Sequence, residues 1–386
     1  MIRDGMGYIG INAQLLTFSR SYRNAGSAAY IYQLLRRLPE LGSAHRFMIF
    51  TNAARDQISA SVQPGFRYVR SRLDTERPAK RILWEQTALP YHMAARKLDL
   101  IHGTLNVLPL ARRIPGVVTI HDVSFLLFPE RFLPAKRRYL SAFTRWSARG
   151  AAKVMVSSNN TRNDVIRLLG VPEERVQVVY LGVEERLREP VDPQAVDALR
   201  AAHSLPDQFF LYIGTLEPRK NLVRLVEAYA QARRAGVEWP LVLAGGKGWL
   251  YEEIFERVQA LGLEGHVRFP GYVPYEDLPT WYHAASAFVY PSLYEGFGLP
   301  IAEAMACGCP VLTARNSSLT EVAGDAAILA DGEDVQGLAH GLIRLAGDAE
   351  VRRDLSARGI AQSRQFTWVR TASETLAVYD AALQEG

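Results

Sequence analysis

The densest chemistry in the chain lies in the run Tyr290-Pro-Ser-Leu-Tyr-Glu-Gly-Phe-Gly-Leu-Pro-Ile-Ala-Glu303, where Glu295 and Glu303 stand eight residues apart. A buried strand ends near Ser292, and Pro300 suits the first turn of a helix. Gly296 and Gly298 let the backbone approach a ligand, and the amides around Phe297, Gly298 and Leu299 open a helix N-terminus, which attracts an anion such as phosphate. The two carboxylates are acceptors only, which suits the hydroxyls of a sugar or ribose. A plain strand–turn–helix connection with a capping Glu would need neither two glycines nor two acids.

A second cluster, Gly214-Thr-Leu-Glu-Pro-Arg-Lys-Asn221, has the same placement after a strand. Arg219 and Lys220 put two cations at a helix start, an arrangement opposed by the helix dipole unless an anion lies between them. The two clusters together read as a diphosphate cradle flanked by hydroxyl-gripping carboxylates. On this reading Lys220→Ala is expected to cut turnover by orders of magnitude and to leave thermal stability nearly unchanged.

Other residue types carry less. His121 closes a strand, where a single histidine is usually a structural hydrogen-bonding residue. Cys307 and Cys309 in ACGCP fall short of four zinc ligands and sit among apolar neighbours, so a structural role is expected. No Asp-x-Asp occurs, and a carboxylate-held divalent metal is not expected: metal ligands, none. The stretch 131–153 interleaves Lys136, Arg137, Arg138, Arg145 and Arg149 with Phe132, Leu133, Tyr139, Leu140, Phe143 and Trp146. It reads either as a basic amphipathic helix on anionic lipid or as a core-facing helix with a wet side.

The elements that position these residues alternate. Strands are predicted at 8–12, 46–50, 66–70, 98–103, 116–122, 153–158 and 176–182, then at 209–214, 240–246, 266–271, 287–292, 309–314 and 326–331. Helical stretches fill the gaps, at 25–38, 80–96, 135–150 and 160–169 in the first half and six more in the second. Strands alternating with helices imply right-handed βαβ units and parallel sheets covered on both faces. Residues 183–206, with three prolines and many charges, read as a linker. The prediction is an α/β chain of two doubly wound domains, with ligands beyond the carboxyl ends of the strands and a cleft between them.

Composition agrees. The 386 residues are 48% hydrophobic and 22% charged, with ample core and no sign of disorder or fibrous repeat. No apolar run approaches the ~20 residues of a membrane span, the N-terminus lacks a secretory pattern, and two cysteines form no disulfide framework, which points to the cytoplasm. The net charge of +5 is polarised: residues 1–190 hold 29 Lys+Arg against 15 Asp+Glu, and the remainder 16 against 25. A basic first half suits an anionic partner. Without stacked aromatics or a nucleic-acid module, nucleic acid is the weaker choice.

The EGFGLPIAE run with its two glutamates resembles the signature of retaining family 4 glycosyltransferases of the GT-B fold, two Rossmann-like domains facing across a deep cleft. GTLEPRKN, AMACGCPVL, GINAQLL, TIHDVSFLLFPERF and SSNNTRNDVIRLLGVPEERVQVVYLGV extend the resemblance over nearly the whole chain, nearest to mannosyltransferase-like members that build cell-surface polysaccharide. The resemblance implies an acceptor-side domain at 1–182, a linker at 183–206, a donor domain at 207–365 and a helix at 366–386 that returns to the first domain. It implies that Arg219 and Lys220 hold the donor pyrophosphate, beside Gly214 and Thr215. Glu303 would bind ribose, and Glu295 the transferred sugar. Phe297, Gly298 and Leu299 would contact sugar and phosphates through backbone amides, and Tyr272 and Val273 would lie beside the base. His121 would stand near the donor sugar, and Asn24, Gly26 and Ser27 would form a loop approaching donor and acceptor. Thr215 stands where many relatives have Arg, and Gly26-Ser27 departs from the usual loop.

The expected reaction moves a hexose, mannose first, from GDP-mannose or a UDP-hexose to a hydroxyl of a glycan or lipid-linked saccharide. It would retain configuration by same-face attack, without metal or other cofactor. The expected location is cytoplasmic, at the inner face of the plasma membrane if the basic domain contacts anionic lipid. Two other classes fit the same residues: a sugar-nucleotide epimerase of this architecture, recognised by donor turnover without acceptor, and a non-catalytic nucleotide-sugar-binding protein.

Overall fold

The computed structural model describes residues 6–16, 26–53, 66–71, 73–75 and 77–385. The chain divides into two compact units, Met1–Gly182 with Trp368–Gly386, and Val183–Thr367.

The first unit is built on seven parallel strands: β1 (Tyr8–Asn12), β2 (Arg46–Thr51), β3 (Phe66–Arg70), β4 (Leu100–Gly103), β5 (Gly116–Ile120), β6 (Lys153–Val156) and β7 (Val176–Val178). Their order in the sheet is β3-β2-β1-β4-β5-β6-β7. Every residue of β1, β4, β5 and β6 is buried, as expected of strands covered on both faces. One face packs Ile9, Ile11 and Val117 against Tyr30, Ile31 and Leu34 of the helix Ser27–Arg37. The other packs Met48, Ile101 and Val118 against Trp84, Leu89 and Met93.

The helix Trp368–Gln384 completes the first face. Trp368, Ala372, Thr375, Tyr379 and Ala382 recur at helical spacing and are all buried. Tyr379 Oη lies 2.7 Å from His102 Nδ1, and His102 Nε2 lies 2.8 Å from Thr119 Oγ1, so a buried imidazole is satisfied at both nitrogens. Burial, with the neighbouring His121 adding to it, lowers His102 to about 3 and keeps it neutral.

The second unit has six parallel strands: β8 (Phe210–Ile213), β9 (Leu241–Ala244), β10 (Val267–Arg268), β11 (Ala287–Tyr290), β12 (Val311–Ala314) and β13 (Ala327–Ala330), in the order β10-β9-β8-β11-β12-β13. Each sheet winds outward in one direction from its first strand and then in the other. The order therefore reverses between β1 and β4 in the first unit and between β8 and β11 in the second. Crevices beyond the strand ends at such reversals are where open α/β sheets bind ligands.

Most observed strands are shorter at their ends than predicted, because loops that continue the apolar run leave the ladder. The predicted linker needs correction. Residues 183–206 belong to the second unit, and Pro193–Ala202 is a helix. Asp192 caps it by accepting from the Gln194 amide at 2.9 Å, and Arg200 Nη2 donates to Ala284 O at 3.1 Å. The Asp-Pro pair is a helix start, with an N-cap carboxylate before a proline at the first turn. Among the described residues no helix is long and apolar enough to cross a membrane.

Candidate active site

The two motif clusters follow the two strands that flank the reversal in the second unit. Gly214 leaves β8, and backbone bonds join the neighbouring loops: Gly214 N to Ala244 O, Leu216 N to Gly246 O, Gly248 N to Leu216 O, and Gly245 N to Gly271 O. A Cβ on Gly245 would stand 1.8 Å from Gly214 O, so the loops close only because position 245 has no side chain. Beyond Gly214 the chain makes a tight turn, Pro218–Lys220, and Asn221 adopts a left-handed conformation (φ 62°) before the helix Leu222–Arg234. Asn221 Nδ2 donates to Pro291 O at 3.1 Å and to Gly332 O at 2.6 Å. Leu293 N donates to Arg219 O at 2.9 Å, so the two motif loops are fixed to each other.

Glu295 occupies the centre. Its Oε1 accepts from Lys220 Nζ at 2.6 Å, from Tyr290 Oη at 3.2 Å and from Ser292 Oγ, and its Oε2 accepts from Arg219 Nη1 at 3.0 Å. Arg219 also pairs with Glu217 at 3.1 Å. Lys220 and Glu295 are 7% and 8% exposed. Burial alone would raise the Glu295 carboxyl, but Arg219, Lys220 and the bonds from Lys220 and Ser292 outweigh it and hold it down to about 2. Burial and Arg219 lower Lys220, opposed by Glu295 and Glu217. The anion that the two cations require is therefore supplied by the protein's own Glu295 and Glu217. This corrects the expectation that Lys220→Ala spares stability, because the change would strip a buried carboxylate of its closest cation.

Glu303 sits in a different environment. It lies on the helix Leu299–Ala306, whose N-cap is Gly298 (φ 98°), and its Oε2 accepts from Tyr282 Oη at 3.2 Å. Burial raises it to about 8; Tyr282 and Arg186 pull it down, and Glu184 pushes it further up. Two carboxylates of one motif thus titrate far apart, a feature common at functional sites. Ser318 Oγ donates to Glu295 O at 2.8 Å, and the Glu295 amide donates to Ser317 Oγ at 3.1 Å, fixing the loop backbone. Phe297 is buried, its ring 5.3 Å from and edge-on to Phe366. Thr215 O accepts from Tyr212 Oη at 3.0 Å. Val273 is buried and Tyr272 is 40% exposed on the loop after β10.

The structure therefore brings Arg219, Lys220 and Glu295 into direct contact and places Gly214, Thr215, Gly298, Leu299 and Glu303 on the loops and helix around them. Sequence reasoning missed Glu217, Tyr290, Ser292 and Tyr282 as their partners. Tyr290 and Ser292 lie inside the motif, but nothing in their spacing says that a strand-end tyrosine and serine face the carboxylate.

His121 belongs to the first unit, at the end of β5. It is half-buried with its ring edge-on to Tyr30 at 4.7 Å, and its buried Nε2 has no hydrogen-bond partner among the described residues. Burial lowers it to about 4, against the opposing influence of Asp122 and a backbone bond at Thr104. Gly26 (φ 67°) precedes the helix that begins at Ser27, and Asn24 lies outside the described residues. Cys307 Sγ donates to Leu187 O at 3.1 Å, and Cys309 is buried. Burial pushes both thiols well up, as in a structural setting.

Two Rossmann-like units, the second carrying this site at the reversal of its sheet, are the architecture of the GT-B fold. Residues 25–187 match the family model Glycosyltransferase Family 4, and residues 197–362 match Glycosyl transferases group 1. The chain is 36% identical over 281 residues to the O-antigen chain mannosyltransferase B of Escherichia coli, covering 72% of this chain and 74% of that protein. It is 31% identical over 278 residues to the serotype-specific mannosyltransferase WbdA of Escherichia coli, covering 69% of this chain and 34% of WbdA. The structure resembles sucrose-phosphate synthase from Thermosynechococcus elongatus with a TM-score of 0.80 at 22% identity, covering 98% of this chain and all of that one. The chain belongs to the family 4, group 1 glycosyltransferases and is a hexosyltransferase.

Proposed function

We propose that the enzyme transfers a hexose, mannose from GDP-mannose first and the hexose of a UDP-hexose second, to a hydroxyl of a glycan or lipid-linked saccharide in surface-polysaccharide synthesis. The observation that carries the donor site is the Arg219–Glu295–Lys220 cluster at the reversal of the second sheet. Mannose is favoured by the likeness to the O-antigen mannosyltransferase.

Breaking the bond from the anomeric carbon to the diphosphate puts charge on the departing β-phosphate. Arg219, Lys220 and the helix start at Leu299 would stabilise that charge more strongly in the transition state than before it. The cations would share their hydrogen bonds between phosphate oxygens and Glu295, freeing carboxylate lone pairs for a sugar hydroxyl. Glu303 would accept from the ribose hydroxyls, and Tyr272 would cover the base. In this reading configuration is retained by same-face attack, the departing phosphate takes the acceptor's proton, and the cationic side chains do the work without metal. His121, with a bare nitrogen, is assigned to the donor sugar.

A thermal-shift panel of GDP, UDP, ADP and their sugar conjugates, run with and without a chelator, tests this. A nucleotide at 100 times its dissociation constant adds about 2.7 kcal/mol to stability. A shift with one nucleotide family, unchanged by the chelator, names the donor base. No shift with any nucleotide overturns the reading. Donor turnover that needs no acceptor would point instead to an epimerase.

We further propose that the first unit rests on anionic lipid through the helix Pro134–Gly150. Leu133 and Trp146 are 76% and 55% exposed beside its basic residues. Co-sedimentation with phosphatidylglycerol vesicles should fall at least tenfold in Trp146→Ser. Equal sedimentation of both proteins would reject the contact.

A further inference from the structure

The first sheet also reverses, between β1 and β4, and the loops leaving those strands line a pocket of about 40 Å³. A water-sized group needs roughly 10–15 Å³ of such space, so the pocket has room for two or three hydroxyls. Among the described residues its polar atoms are underused. Asn12, at the end of β1, donates from Nδ2 to Glu85 Oε1 at 3.0 Å, while its Oδ1 is buried without a partner. Gln14 Oε1 accepts from Thr75 Oγ1, while its Nε2 is buried without a partner. Asn106 follows β4 in a left-handed conformation (φ 56°), and its Oδ1 is also unpartnered. Asn12 and Gln14 are 7% and 4% exposed. Arg81 stands 3.9 Å from Glu85, and Tyr139 forms one wall.

Buried polar groups almost always find partners, so three unpartnered amide atoms in one pocket mark a place where a ligand completes the bonding. Their chemistry selects the ligand. Asn12 Oδ1, Asn106 Oδ1 and Glu85 are acceptors, which repel a phosphate. Gln14 Nε2 and Arg81 are donors, which repel a metal cation. Hydroxyl groups both donate and accept, and they satisfy the whole set. A non-glycine residue held at positive φ beside the pocket is strain of the kind that collects at binding sites.

We infer that Asn12, Gln14, Glu85 and Asn106 form a neutral saccharide subsite, one that grips two or three hydroxyls along one edge of the acceptor's terminal sugar. Assigning that sugar to the acceptor rests on the proposed transfer reaction; the pocket's preference for hydroxyls does not.

The probe is mannobiose, followed by saturation-transfer NMR on the full chain, beside the nucleotide thermal-shift panel. Gln14→Ala removes the free donor. Asn106→Gly removes a free acceptor and keeps the left-handed backbone available. Both variants should bind mannobiose at least tenfold more weakly than the wild type and keep its nucleotide-induced shift. Undiminished mannobiose binding in both variants overturns the subsite. A nucleotide shift in a wild-type protein that binds no mannobiose also overturns it and leaves the transfer reading standing. Mannobiose binding lost in both variants, in a protein that no nucleotide stabilises, supports the subsite and overturns the transfer reading.

Discussion

Glu295 and Lys220 lie 75 residues apart in sequence and meet at 2.6 Å, almost wholly buried, with Arg219 at 3.0 Å on the other carboxylate oxygen. A buried ion pair rarely adds stability over an apolar substitute, whereas breaking one strands a charge. The pair therefore couples the two motif loops.

Lys220→Met and Glu295→Gln should each lower stability by about 3 kcal/mol. The double variant should cost less than the sum by at least about 1 kcal/mol, because the second change removes a charge already stranded by the first. Urea denaturation of the four proteins measures the coupling, and additive losses would refute it. Transfer by Lys220→Met should drop at least about a hundredfold.

Glu303 predicts a pH dependence of its own. Its folded carboxyl is raised from the ordinary 4.5 to about 8. The folded protein thus keeps a proton that the unfolded chain releases. The stabilisation from this is complete below about pH 4.5 and is lost as pH rises through 8. The melting temperature of the wild type should fall relative to Glu303→Gln between about pH 5 and 8. A difference that stays constant across that window would contradict the assignment.

Gly245→Ala tests the loop closure. The new methyl would meet the Gly214 carbonyl oxygen at 1.8 Å, a backbone atom that cannot swing aside. A loss of about 3 kcal/mol or more is expected, together with loss of the nucleotide-induced shift. A variant that melts like the wild type would show that the loops part without cost.

Tyr379→Phe removes a partner of His102 Nδ1 in the first unit. An unsatisfied buried nitrogen should cost about 1–3 kcal/mol. Both His102 and His121 are held neutral, at about 3 and about 4. The unfolded chain takes up protons below about 6.5 that the folded chain refuses, so wild-type stability should decline as pH falls from 6.5 toward 4. Flat stability over that range, by chemical denaturation, would show that the fold does not hold these histidines neutral.

The sequence alone determined the parallel α/β architecture, because apolar runs such as GVVTI at 116–120 and LVLA at 241–244 alternate with helical spacing and need only local pattern to be read. It also determined where the two motif loops fall, since glycines, prolines and paired charges at strand ends are local signals. It misread 183–206, where prolines and charges looked like a linker although Asp192-Pro193 starts a helix of the second unit. Only the tertiary structure decided the state of the charges. Whether Glu295 is anionic beside Lys220, or Glu303 is held at about 8 beside Tyr282, depends on burial and on partners distant in sequence. The same holds for the pocket of Asn12, Gln14, Glu85 and Asn106. Their side chains converge only once β1 and β4 lie side by side, and sequence spacing carries no record of that.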